Sequence, residues 1–285
     1  MFDRISNGFA LARSSWGVLV KDKHLIVFPI VSGILFVIVL ASFAVPMYMV
    51  SDQIDKHMQN NNGKPPVWLY AVAFAFYFCS YFVIIFCNSA LISCAMIRFN
   101  GGEPSVGDGF RMAMARLPQI FAWALVSATV GVVLKLIENA HEKVGYYVAM
   151  ILGTAWSIMT YFVVPVLVVE KTGPIEAVSR SMSLLRKTWG EALVGRLGLN
   201  FVMFLLAIPL VLILIAGGWA LGNGQAPLGW GLVVVGILGL LMHAAIASAL
   251  HTILLAGLYQ YAAEDRVPDA FDRETFEGAF QPKPA

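Results

Sequence analysis

From Leu197 to Ala263 the chain carries no Lys, Arg, Asp or Glu, and the stretch from Val67 to Ile97 carries none either. About 20 consecutive apolar residues are enough to cross the hydrocarbon of a bilayer as a helix. Backbone polar groups inside lipid must be satisfied within the segment, so runs of this kind are helical. Composition agrees: hydrophobic residues make up 59% of the 285 residues and DEKR only 13%, against about 25% charged in a soluble domain. The expected fold class is all-α: a polytopic membrane protein with six transmembrane helices and two or three amphipathic helices on the cytoplasmic side. Residues 1–285 form a single integral membrane domain, with no room for a separate soluble one.

The spans are placed at 25–50, 67–97, 118–134, 144–169, 197–221 and 228–263. The first is too long for the apolar region of a cleavable signal peptide, and no small-residue cleavage site follows it. Pro29 and Pro46 sit near its two ends, where kinks are tolerated. Ser51 to Pro66 reads as a polar loop, since Asn60, Asn61, Asn62, Gly63 and Pro65-Pro66 oppose regular structure. Lys135, Glu138, His141, Glu142 and Lys143 form a short charged turn, and Gly222 to Pro227 a tight one. The polar tail, 264–285, is expected to be poorly ordered.

With six spans, the side that receives both termini and the loops after spans two and four carries fifteen Lys or Arg, and the other side four. That bias puts the termini in the cytoplasm of a prokaryotic inner membrane. Three amphipathic segments fall on the same side. Residues 1–24 place Phe2, Ile5, Phe9, Ala12, Trp16 and Leu19 on one helical stripe. Ser105 and Asp108 resemble a capping box ahead of Val106, Phe110, Ala113, Leu117 and Ile120. Gly173 as N-cap and Pro174 at the first helical position start the third, whose stripe is Ile175, Val178, Met182, Leu185 and Trp189. Glu176, Arg180, Ser183 and Lys187 take its other side.

A repeat links these segments. Gly8 to Gly17 can be laid on Ser181 to Gly190, matching Arg13 with Arg186, Trp16 with Trp189 and the final glycines. Arg111 to Ile120 fits the frame only through Arg116. A surface helix plus two spans, used three times, would pack as three hairpins about a pseudo-threefold centre or as a sheet of hairpins.

Pro165, Glu170, Ala177, Ser181, Leu184 and Trp189 make a span ending in Pro and an acid, followed by an "A, S, L, W" helix. The pattern resembles a group of poorly characterised prokaryotic six-span families, including the membrane region attached to some glycerophosphoryl diester phosphodiesterases. Phe2-Asp3-Arg4-Ile5, Ser14-Ser15-Trp16 and Phe28-Pro29 are similar to a stand-alone family of this sort, still named as being of unknown function. The resemblance implies fold and location and no catalytic residue, because the phosphodiesterase chemistry belongs to a separate soluble domain.

Chemistry would have to come from polar groups inside the spans, where they are costly. His243 and His251 lie eight residues apart, on a stripe completed by Gly239 and Ala247. With Asn200 on span five and Asn88 on span two they could line a polar path, or they could hydrogen-bond within helix contacts opened by small residues. Two His without a nearby Cys or carboxylate fall short of a zinc set, so no metal is expected. Cys79, Cys87 and Cys94 read as small apolar packing residues. There is no phosphate-binding glycine loop, no His-Glu-x-x-His pair and no identifiable triad, so neither enzyme activity nor a cofactor is expected. The formal charge of +2 does not suggest nucleic acid. Arg13, Trp16, Arg180, Arg186, Lys187, Trp189 and Arg196 suit anionic lipid headgroups. The favoured expectation is a non-enzymatic protein that organises lipid or partner proteins. The alternative is a transporter or oligomeric channel, with an intramembrane enzyme a distant third. Membrane lipids, a second copy of the chain or another membrane protein are the expected partners.

Overall fold

The computed structural model describes the backbone of residues 2–140, 144–268 and 271, and their side chains except those of 2–11 and 189–197. Among the described residues every regular element is helical: α1 (Phe2–Lys21), a 3-10 turn (Lys23–Ile26), α2 (Val27–Met49), α3 (Ser51–Asn60), α4 (Val67–Phe99), α5 (Val106–Met114), α6 (Leu117–Ala140), α7 (Val144–Met159), α8 (Val163–Val169), α9 (Pro174–Lys187), α10 (Trp189–Gly222) and α11 (Ala226–Glu264). Six stretches among the described residues are long and apolar enough to cross a membrane: Lys23–Met49, Val67–Phe99, Leu117–Ala140, Val144–Val169, Gly198–Gly222 and Ala226–Glu264.

Three local expectations need correction. Ser51 to Asn60 is not loop but the helix α3, with Ile54 and Met58 half-buried on one side and Asp52 near the positive end of its dipole. Asn62, at φ 53°, and Gly63 then end it. The helix α6 runs on through Lys135 and Glu138, which pair at 3.1 Å as i,i+3 neighbours, so these two are not part of a turn; His141, Glu142 and Lys143 lie outside the described residues. The third correction is a break in the fourth span. Between α7 and α8 the helix is interrupted at Thr160–Phe162, three residues before Pro165. Proline lacks the N–H that would reach Tyr161 and its ring clashes with that carbonyl, whereas in the first turn of a new helix neither matters.

Burial is uneven along the spans. Tyr259, Phe28, Phe99, Phe162, Leu25, Leu91, Ile92, Ile120, Leu167 and Leu184 are the largest fully buried side chains. Each of those in a span lies in the half next to α1, α5 or α9 in the chain, except Tyr259, which lies in the C-terminal half of α11. The opposite ends bear exposed aromatics, Tyr48, Trp68, Tyr70, Tyr146, Tyr147, Trp219 and Trp230.

The chain divides into two compact units. The first comprises Met1–Pro29, Cys94–Val106 and Arg186–Ala285. Here α10 and α11 form a hairpin about Gly224, at φ 77°, and pack through glycine. A Cβ on Gly229 would lie 2.5 Å from Leu221 Cγ, and one on Gly236 2.5 Å from Leu214 Cδ2. The helix α1 packs on both. The end of α4 is closed by Gly101 at φ 80°, with Gly102 N–H donating to the Ile97 carbonyl at 2.9 Å and Gly101 N–H to Arg98 at 3.0 Å. These are the two bonds of a Schellman cap.

The second unit comprises Ile30–Ser93 and Gly107–Leu185. In it α6 packs on α7, with the Trp123 and Trp156 rings stacked at 5.7 Å. Phe78 and Phe82 on α4 meet Phe121 edge-on at 5.0 and 6.4 Å.

Candidate functional site at the broken helix

Breaking a helix frees backbone groups, and at Thr160–Phe162 they are claimed by one side chain from α9. The hydroxyl of Ser181, fully buried, donates to the Met159 carbonyl at 2.8 Å and accepts from the Phe162 N–H at 3.0 Å. Both groups would otherwise be buried without partners, a cost of about 1–3 kcal/mol each. The far end of α8 is held twice more. Arg180 Nε donates to both carboxylate oxygens of Glu170 at 3.0 and 3.1 Å. Arg116 Nε, from the junction of α5 and α6, donates to the Val168 carbonyl at 3.1 Å. Adjacent residues of α9 thus clamp the two ends of a seven-residue helix.

This clamp changes which face of α9 is which. Gly173 accepts the first helical bond, from Ala177 N–H at 2.9 Å, and Pro174 opens the helix as the sequence implies. The buried side, however, is Ala177, Ser181, Leu184 and Leu185, continued by Thr188. The apolar stripe read from the sequence, Ile175, Val178, Met182, Leu185 and Trp189, is shifted from it and overlaps only at Leu185: Ile175 is 87% exposed, and Val178 and Met182 are half-buried. The side chain of Trp189 lies outside those described. The same shift occurs in α1, where Ala12, Ser15, Val18, Leu19 and Asp22 are buried while Trp16 is 47% exposed. In the frame of the repeat, Ala12 and Leu185 are both buried, Arg13 and Arg186 both exposed, and Ser15 and Thr188 both buried. Phe2, Ile5 and Phe9 have side chains outside those described. In α5, Ala113 is buried and Phe110 and Val106 half-buried. Asp108 pairs with Arg111.

A second polar group lies within the first unit. Asp22, 3% exposed at the end of α1, forms a two-pronged ion pair with Arg98 at the end of α4. Two residues beyond Arg98, Asn100 Oδ1 accepts from Gln260 Nε2 at 3.5 Å, and Gln260 also donates to Glu264 at 3.1 Å. Gln260 Oε1, the Ser15 hydroxyl and His24 Nε2 are buried without partners. Nothing in the periodicity of the sequence singled out these residues. The only signal was that Asp22 and Arg98 are opposite charges flanking spans one and two.

The polar-path residues come from three helices. Asn88, on α4, is half-buried; Asn200, on α10, is exposed; His243 and His251, on α11, are half-buried. Gly239 does face α10, where a Cβ would come within 2.8 Å of Leu210 Cδ2. Among the described residues no group of three or more His, Cys, Asp or Glu could hold a metal ion. Of the headgroup candidates, Arg13, Arg186 and Lys187 are exposed and Arg180 is 38% exposed in its pair. The side chain of Arg196 lies outside those described.

A chain that is helical throughout its regular elements, with six membrane-length apolar helices among the described residues, defines a class, and suggests a multi-pass membrane protein. Residues 67–268 match the family of unknown function DUF6159, and the chain belongs to that family. The match begins at α4 and runs through α11, so it contains the broken helix and both residues of the clamp. No curated protein matches the chain.

Proposed function

We propose that this is a non-enzymatic multi-pass protein of a prokaryotic inner membrane, which organises lipid or a partner protein at the cytoplasmic leaflet through α1, α5 and α9. One observation carries the reading. The helix α9 packs through Ala177, Ser181, Leu184 and Leu185 and leaves Ile175, in its first turn, almost fully exposed, with Arg186 and Lys187 exposed in its last turn. A helix with a free apolar residue at one end and cations at the other fits the boundary between headgroups and acyl chains. Trp16 and Val20 are likewise exposed on α1, with Arg13.

Two further features support the orientation. Fifteen of the nineteen Lys and Arg fall on the side of these helices, the side that faces the cytoplasm under the positive-inside rule. Exposed Tyr and Trp at the opposite span ends suit the far interface, where aromatic rings concentrate.

The test is lipid retention. The protein is reconstituted in nanodiscs of phosphatidylcholine with phosphatidylglycerol, and bound lipid is counted by native mass spectrometry. Ile175→Ser combined with Arg186→Gln and Lys187→Gln should lower phosphatidylglycerol retention with the fold intact. Unchanged retention, or a solute flux in liposomes that depends on His243 and His251, would overturn the proposal in favour of a transporter or channel.

A further inference from the structure

The C-terminal end of α8 gathers more positive charge than its own chemistry uses. Carbonyls in the last turn of a helix point beyond its end, so Arg116, bonded to the Val168 carbonyl, sits off the end of α8. Glu170 follows directly as the C-cap and draws in Arg180. Lys171 comes next in the left-handed conformation, at φ 62°, and is exposed. Arg180 alone pairs with the carboxylate of Glu170; Arg116 on the Val168 carbonyl and the exposed Lys171 add two further cations at this corner, and the partial negative charge of a helix end offsets only about half a unit more.

The guanidinium of Arg180 is only partly engaged. Its Nε serves both oxygens of Glu170, and neither Nη donates to any described residue. Arg116 uses Nε and Nη1, the latter to the Ala115 carbonyl at 3.3 Å, and leaves Nη2. One residue past Lys171, the hydroxyl of Thr172 is buried without a partner. Planar N–H forks, an ammonium and a spare hydroxyl donor are the groups that bind phosphate oxygens.

We propose that the corner between α8 and α9 is a phosphate-binding site for an anionic lipid headgroup, held by Arg180 Nη1 and Nη2, Lys171 and Arg116. The site rests on the leaflet reading above and deepens it, because it turns general attraction to a charged surface into recognition of one phosphate. Glu170 both positions Arg180 and competes for it. Engagement of the corner also loads α9 at the residue next to Ser181, which holds the broken helix.

The experiment uses the full chain in the nanodiscs described above, with phosphatidylglycerol as the probe. Lys171→Gln, exposed and outside the packed interior, and Arg180→Gln should each lower the most tightly held phosphatidylglycerol by roughly threefold to tenfold, the loss of one or two charge-assisted hydrogen bonds. Glu170→Gln should raise it, whereas a merely destabilised corner would lose lipid. Excess inorganic phosphate separates the two sources of the ligand: retention that survives it assigns the site to a headgroup, and complete displacement overturns the lipid assignment. If the Ile175, Arg186 and Lys187 variant loses lipid while Lys171→Gln and Arg180→Gln do not, the corner site is wrong and the leaflet reading stands. If none of them loses lipid, both fall.

Discussion

Replacing Ser181 by Ala tests the clamp on the broken helix directly. The hydroxyl satisfies one buried carbonyl and one buried N–H, and orphaning both costs roughly 2–6 kcal/mol before relaxation. Alanine returns up to about 0.5 kcal/mol as the better helix former. Polar contacts between membrane helices often contribute less, about 0.6 kcal/mol on average, because the unfolded segments find other partners. Pro165 limits that escape here, since a continuous helix through it would lack one backbone bond and clash with the Tyr161 carbonyl. A loss of about 2–4 kcal/mol is therefore expected, which lowers the melting temperature in detergent by roughly 5–15 °C. Ser183→Ala, on an exposed position of the same helix, serves as control and should leave it unchanged. In the background of Pro165→Ala, which lets α7 and α8 join, Ser181→Ala should cost much less. Equal melting temperatures for Ser181→Ala and Ser183→Ala would refute the reasoning.

Two other substitutions probe the first unit. Asp22→Asn leaves the Arg98 guanidinium without its counter-charge and should destabilise by about 2–3 kcal/mol, at the low side of a buried pair because Arg98 is partly exposed; Arg98→Lys keeps the charge without the fork and should cost less, both read as thermal shifts. Gly229→Ala forces a methyl to 2.5 Å from Leu221 Cγ and 2.9 Å from its backbone N, and should cost about 1–3 kcal/mol. Gly231→Ala, with open space around it, should be neutral or stabilise by up to about 1 kcal/mol. Equal effects at the two glycines, measured by resistance to detergent unfolding, would argue against the packing of α10 on α11.

The long apolar helices were legible because the physics that defines them is coarse: a charge-free run of sufficient length has few other solutions. The faces of the amphipathic helices were not. Periodicity put Ile175, Val178, Met182, Leu185 and Trp189 on one apolar stripe, and it did not say which residues of α9 pack on the protein. In the structure α9 packs through Ala177, Ser181, Leu184 and Leu185, of which Ala177 and Ser181 are small enough for close approach and Ser181 supplies the hydrogen bonds. The motif residues Pro165, Glu170, Ala177, Ser181 and Leu184 thus lie at the break, in the clamp and on the buried face, although their spacing alone carried no such meaning. The helix α3 escaped because its Asn and Gly residues end it rather than prevent it. Asp22 with Arg98, and Ser181 with Met159, join residues far apart in sequence, which periodicity cannot pair.

The account depends most on which side of the membrane α9 faces. Single cysteines at Ser183, on the exposed side of α9, and at Lys64, in the turn after α3, can be introduced after Cys79, Cys87 and Cys94 are replaced by Ala, and then labelled in sealed vesicles of known orientation with a membrane-impermeant maleimide. The expected result is labelling of Ser183→Cys only from the cytoplasmic face and of Lys64→Cys only from the opposite face. Labelling of both from one face, or of Ser183→Cys from outside, would contradict the six crossings and the leaflet role together.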